Sequence, residues 1–337
     1  QLIERMARPA QSRGFSGKRF IKVTRGQENP LVSAAEVRFA DRRNYDFTLT
    51  SPPSLNGIRF AVLDGVSSAY FPNERLAFAN FAFELPGRFV LSLSSQRLDL
   101  LEQNYQIWIA NQNEDFNGRA TYHVSFIPKH RIRDQNGHLQ PLAPRRHLWL
   151  DHETMNVLRE ARFWDWVNDD GSWNYNQNPF ADLWYESYYS EFNPQIEAVS
   201  SQAKKLMLSG QDNNTALSYG SVAEAESREG VRIPRPGYLP PGFVLKDIQV
   251  FKVFGQRVQV QNYTDGMNDL MISFQPEANV LATLFDKDFN MNLIQRVTDL
   301  SQLAPNNYFT SAFGGGNVTV FGDVMPIELQ RVAGSLS

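Results

Sequence analysis

The sequence contains no cysteine, which removes disulfides, thiol nucleophiles and thiolate metal sites together. Charge is sparse and nearly balanced: Asp, Glu, Lys and Arg make up 20% of 337 residues, with 33 basic against 36 acidic side chains and a net charge of −3. A nucleic-acid binder carries a basic excess to neutralise phosphates, so no nucleic-acid partner is expected. Long apolar runs are missing too. None approaches the roughly 18 residues that span a bilayer as a helix, so the chain is not expected to be transmembrane.

Catalytic signatures are equally scarce. There is no Gly-x-Ser-x-Gly elbow, and Gly314-Gly315-Gly316 lacks the Lys-Ser or Lys-Thr of a phosphate loop and precedes a strand pattern, so it reads as a flexible turn. His123, His130, His138, His147 and His152 cluster in sequence without a helical pair four apart, and read as surface residues rather than metal ligands. Asp165, Asp169, Asp170, Glu186 and Glu191 beside tryptophans raise a glycosidase reading, which needs two carboxylates flanking a stacked sugar. Acids of this kind are ordinary in loops, and no catalytic residue, metal or cofactor is predicted.

What the chain does have is alternation. Ala35, Val37 and Phe39, then Tyr45, Phe47 and Leu49, then Ile58, Phe60 and Val62 each recur at period two, the mark of half-buried strands. Asp64-Gly65 suits a tight antiparallel return, and Leu76 to Phe81 continues the meander. Tyr122, Val124 and Phe126 form another strand that Pro128 ends, because proline lacks the amide a ladder needs. His147 to Leu150 and Met155 to Phe163 flank a polar turn, Asp151 to Thr154. Helical spacing is limited to residues 1–13, to Leu98–Leu101, and to Ile196, Val199, Ala203 and Leu206. The aromatics between Phe163 and Phe192 read as an elaborated loop and edge strand packed on the sheet.

Between Ser209 and Glu229 apolar residues nearly vanish, which predicts a flexible linker and a modest interface between the parts it joins. Three regions follow: a first domain over 1–208, a linker over 209–229, and a second domain over 230–337. The second opens on the proline cluster IPRPGYLPPGF, continues in strands at Val244–Phe254, Arg257–Tyr263, Leu270–Phe274 and Val318–Phe321, and ends in a helix begun by Pro326. A leading Gln1 in place of Met predicts a leader removed upstream, a signal peptide or a lipid-anchored segment.

LLEQNYQI (100–107), NGRATYHVSFIPKH (117–130), RHLWLDHETMNVLREARF (146–163), LPPGF (239–243), YTDGMNDLMISF (263–274) and NVTVFGDVMP (317–326) recur in this order in a known family. Through them the chain resembles the MucB/RseB family of periplasmic regulators of an envelope-stress sigma factor, whose larger domain is similar to the lipoprotein carriers LolA and LolB. The resemblance implies an α+β protein: an unclosed antiparallel β-barrel covered by helices, with a smaller C-terminal α+β domain. It also implies a non-enzymatic, periplasmic sensor of lipid or lipoprotein that holds the periplasmic segment of an anti-sigma factor or another envelope protein. The alternatives are a LolA-like lipoprotein carrier or chaperone and, from the carboxylates beside the tryptophans, a carbohydrate-binding or carbohydrate-active protein. The tryptophan-rich stretch 164–184 and the long linker depart from the family.

A curved sheet with few helices leaves a concave apolar hollow, and such hollows hold ligands. Val37, Phe39, Phe47, Leu49, Phe60, Val62, Tyr70, Phe126, Leu148 and Leu150 are therefore the expected lining of a cavity for acyl chains.

Overall fold

The computed structural model describes residues 14–24, 29–41, 44–63, 66–73, 76–79, 95–134, 136–164, 166–167, 173–174, 183–194, 217–253, 256–275 and 307–337. The helices expected over 1–13 and 196–206, the turn at Asp64-Gly65 and most of the 164–184 stretch lie outside those residues.

The alternating runs near the start form a meander of β1 (Phe15–Val23), β2 (Leu31–Asp41), β3 (Asn44–Ser51), β4 (Arg59–Leu63), β5 (Val66–Phe71) and β6 (Leu76–Ala79). Helix α1 (Ser95–Asn104) then feeds directly into β7 (Tyr105–Phe116), a long polar strand that hydrophobic alternation does not reveal. Asn117 and Gly118, both at positive φ (53° and 77°), turn it back into β8 (Arg119–Pro128). A small hairpin of β9 (Arg131–Arg133) and β10 (Leu139–Pro141) precedes β11 (Arg145–Asp151) and β12 (Val157–Phe163). The turn between the last two runs longer than expected. Asp151 accepts hydrogen bonds from the Thr154 amide (2.8 Å) and hydroxyl (2.7 Å), and Met155 takes φ 59°, so the strand resumes only at Val157. The two-residue strands β13 (Trp166–Val167) and β14 (Trp173–Asn174) lead to β15 (Leu183–Asn193).

These strands, apart from β9, β10, β13 and β14, build one sheet in the order β6-β5-β4-β3-β2-β1-β15-β12-β11-β8-β7. Strand β15 is the stitch. It pairs antiparallel with β1 on one side and with β12 on the other, joining the meander to the later hairpin. The two ends, β6 and β7, do not meet, so the sheet is unclosed.

The second sheet contains β16 (Leu217–Tyr219), β17 (Val244–Val253), β18 (Gln256–Thr264), β19 (Asp269–Gln275), β20 (Asn307–Phe313) and β21 (Gly316–Gly322), in the order β16-β17-β18-β19-β21-β20. Gly314 and Gly315, at φ 56° and 83°, make the turn between β20 and β21. Helix α3 (Pro326–Gly334) buries Leu329, Val332 and Ala333 against this sheet. Ile132 in β9 and Leu142 just past β10 belong to the same apolar cluster, so the first part of the chain contributes to the second core.

The expected linker is corrected here. Of residues 209–229, the stretch from 217 is folded: β16 adds a strand to β17, and α2 (Val222–Glu229) follows. Its ends carry the signals that composition hides. Ser221 accepts from the Glu224 amide at the start, and Gly230 at φ 62° closes the other end. Among the described residues there are three α-helices against these strands, so the molecule is mostly β, and none of the three is long and apolar enough to cross a membrane.

Candidate functional site

The register turns one face of β1 to β5, β15, β12, β11 and β8 toward the interior. Val37 lies opposite Phe47, Phe47 opposite Phe60, and Phe60 opposite Ala69, so these residues share a face. At that end Val37, Phe39, Phe47, Leu49 and Phe60 are buried in one cluster with Phe15, Leu55, Ile58, Phe71 and Tyr189. Phe47 and Phe60 stack with ring centres 4.8 Å apart, and Phe15 and Phe39 with centres 5.0 Å apart. Val62 is buried on the same face. Tyr70 is not. It pairs across Arg59, one residue out of phase with Phe60, and is half-buried on the opposite face; Phe71 takes the position expected for it. A slip of one residue in a strand always exchanges the faces.

Phe126, Leu148 and Leu150 share the buried face but occupy its far end, in a second cluster with Leu101, Tyr105, Val124 and Met267. The ten expected lining residues thus fall into two groups. Between them runs a polar stripe that alternation of apolar residues could not reveal. Arg19 donates to Ser187, and Arg162 donates to Glu160 (2.7 Å) with its guanidinium 4.7 Å from the Tyr185 ring centre. Burial works to raise the Glu160 carboxyl, and the Arg162 and Arg146 guanidinium groups outweigh it, holding the group below its usual value.

The second sheet closes on this stripe. Asp323, just past β21, accepts from Arg162 (2.6 Å) and Arg146 (3.2 Å), and Arg146 also donates to Asn268. Tyr105 donates to Asp265 at 2.6 Å and accepts from Asn268 at 2.7 Å. Asn104 donates to the carbonyls of Asp265 (2.9 Å) and Gly242 (3.1 Å), with His130 on its oxygen at 2.9 Å. Burial, then the neighbouring Asp265 carboxylate, pushes the Tyr105 hydroxyl well above its usual pKa, so it remains a donor. Burial raises the Asp265 carboxyl as well; yet its two oxygens accept from Tyr105, from the Met267 and Asn268 amides and from the Asn268 side chain, the pattern of an ionised carboxylate. The seam is a buried network rather than the modest contact expected from a flexible tether.

His123 and His147, both expected at the surface, are half-buried on the outer face. His123 and His147 approach at 2.6 Å between ring nitrogens, His123 reaches Glu114 at 2.9 Å, and Trp149 stacks on His123 with centres 4.2 Å apart. Burial, and then the positive charge of Arg145, pushes His147 down to about 3. Arg159 caps the stack 4.3 Å above Trp149 and holds Glu186 at 2.7 Å, which gives that acid a structural partner. Asp165, Asp169 and Asp170 lie outside the described residues. Among the described residues no group of three or more His, Asp or Glu is placed to hold a metal ion.

No family model matches the sequence, and no curated protein does. Solved structures do. MucB matches with a TM-score of 0.57 at 16% identity, over 99% of this chain and 96% of its own. The chain has the fold of MucB. The MucA/MucB complex of Pseudomonas aeruginosa aligns at a TM-score of 0.53 and 16% identity over 100% of this chain and 97% of that one. A second structure, MucB in complex with MucA(peri), gives 0.51 with the same identity and coverage.

Proposed function

We propose that this chain is a non-enzymatic periplasmic regulator. It senses lipid or lipoprotein through the buried face of its large, LolA/LolB-like sheet, and it holds the periplasmic segment of an anti-sigma factor or another envelope protein. The observation that carries the reading is fold likeness to MucB over nearly the full length of both chains, including MucB bound to MucA. The ordered motifs from LLEQNYQI to NVTVFGDVMP support it independently of the coordinates. A two-part organisation, with one domain on each sheet, belongs to the same reading, and the pairing of β16 with β17 favours a boundary before β16.

The apolar cluster around Phe47 and Phe60 supports an acyl-chain site, because it gathers aromatic and branched side chains on one buried face. A simple carrier is less well supported: residues of the second sheet complete the network on Arg146 and Arg162, so the second part is integral to the first. Native mass spectrometry of the purified protein with lipid extraction, together with titration of a fluorescent fatty acid, tests the lipid limb. A folded protein that retains no lipid and never takes up the probe overturns it. Capture of an anti-sigma factor's periplasmic segment by immobilised protein tests the partner limb, and failure of capture with and without lipid overturns that one.

A further inference from the structure

Where the two sheets meet, a hollow of about 400 Å³ opens to solvent, lined by Trp164, Trp184, Pro141, Met325 and Pro326, with Asp134, Gln140 and Asn307 as its polar members. It is distinct from the buried face. Its walls come from the end of β12, from β15, from the β9–β10 hairpin and from the start of α3. The Met325 amide donates to the Leu142 carbonyl at 3.1 Å and fixes the far wall to the near one. Trp164 and Trp184 meet edge to face with centres 6.3 Å apart, which leaves indole surface facing the opening. Both lie in the tryptophan-rich stretch that sets this chain apart from the family it resembles.

The polar members narrow the chemistry. Asn307 gives its amide nitrogen to the Val324 carbonyl at 2.8 Å, and Gln140 turns its own toward Asp134 at 3.5 Å. Asp134 accepts from the backbone amides of Asn136 (2.8 Å) and His138 (2.9 Å). Burial works to raise its carboxyl, and those amides outweigh it, so the group stays ionised at neutral pH. Among the described residues Asp134 is the one charged group lining the hollow, so the hollow presents acceptors, one negative charge and two indoles.

We propose that this hollow receives the cationic side chain of an arginine or lysine from a protein partner, laid against Trp164 or Trp184 and directed at Asp134. A guanidinium stacks on indole faces and donates to carboxylate and carbonyl oxygens in one plane, which is the set of groups present here. The volume suits one or two side chains and not a pair of acyl chains, which separates this site from the lipid limb.

The proposal rests on the reading of the chain as a partner-binding regulator, but a probe without a partner tests it. The full chain, labelled with 15N at tryptophan, is titrated with N-acetyl-arginine amide and with the neutral isostere N-acetyl-citrulline amide. The Trp164 and Trp184 indole signals are assigned by Trp164→Phe and Trp184→Phe. The expected result is that the arginine derivative moves both signals, that the citrulline derivative binds at least about tenfold more weakly, a difference of about 1.4 kcal/mol, and that Asp134→Asn abolishes the preference. Because Asp134 also organises its own turn, Gln140→Lys serves as a second variant, expected to block the arginine derivative by placing a cation in the mouth. Equal binding of the two probes, a preference that survives both variants, or signals that do not move overturns the proposal. Partner capture in the pull-down stands or falls separately.

Discussion

Arg146 on β11 and Asp323 beyond β21 are 3.2 Å apart although 177 residues separate them in sequence, and both side chains are nearly inaccessible to water. Two charges in such a place are tolerated because they satisfy each other and their neighbours Glu160, Arg162 and Asn268. Arg146→Leu strands Asp323 and Glu160 with less compensation and is expected to cost about 3–5 kcal/mol in chemical denaturation. Adding Asp323→Leu recovers part of that loss. A double variant as unstable as the sum of the two single ones shows that the pair does not couple the sheets.

Gly242 tests the seam from its backbone side. It sits at φ +86°, and a Cβ there would stand 2.5 Å from the Asn104 side-chain oxygen. Gly242→Ala therefore carries a backbone penalty of about 1–3 kcal/mol and displaces Asn104 from the Gly242 and Asp265 carbonyls. Small-angle scattering is expected to show a larger radius of gyration than wild type. An unchanged radius with unchanged stability means that the seam absorbs the methyl group.

The histidine pair sets a pH dependence with a definite sign. The folded pKa of His147 lies at about 3, below the unfolded value of 6.5, so its contribution to stability is complete above pH 6.5 and declines as pH falls toward 3. His147→Gln removes that titration. Between pH 6.5 and 5, before most carboxylates titrate, the melting temperature of the variant is expected to fall less steeply than that of wild type. Parallel slopes reject the assignment.

Ser221→Ala removes the side chain that accepts from the Glu224 amide. A lost N-cap costs about 0.5–2 kcal/mol, and α2 packs Ala225 against Ile233 and Ile248. Hydrogen exchange is expected to accelerate over 222–229 while the large sheet keeps its protection. Rapid exchange there already in wild type overturns the ordered-helix description.

Much of the strand content could be read in advance, because Val37/Phe39, Phe47/Leu49 and Tyr122/Val124/Phe126 alternate cleanly and Pro128 marks an end. What alternation could not supply was partnership. The pairing of β1 with β15 joins residues such as Phe20 and Tyr188 across most of the first part of the chain, and no local signal encodes it. Strand β7 carries no such alternation, because most of its residues are exposed on both faces. Helix α2 was legible in the Ser221 to Glu224 spacing and in Gly230, but the scarcity of apolar residues around it pointed the other way. The seam was hidden for a related reason: Asp265 and Asn268 have the composition of a turn, and only the second surface shows why such polar side chains are buried.

The buried face of the large sheet changes character along its width, from phenylalanines at Phe47 and Phe60 to guanidinium groups at Arg19, Arg162 and Arg146. Beyond the arginines it turns apolar again, at Phe126 and Leu148. The interior is thus clamped at its middle by charge, since the two guanidinium groups that meet Asp323 in the stripe also bind the second sheet to the first.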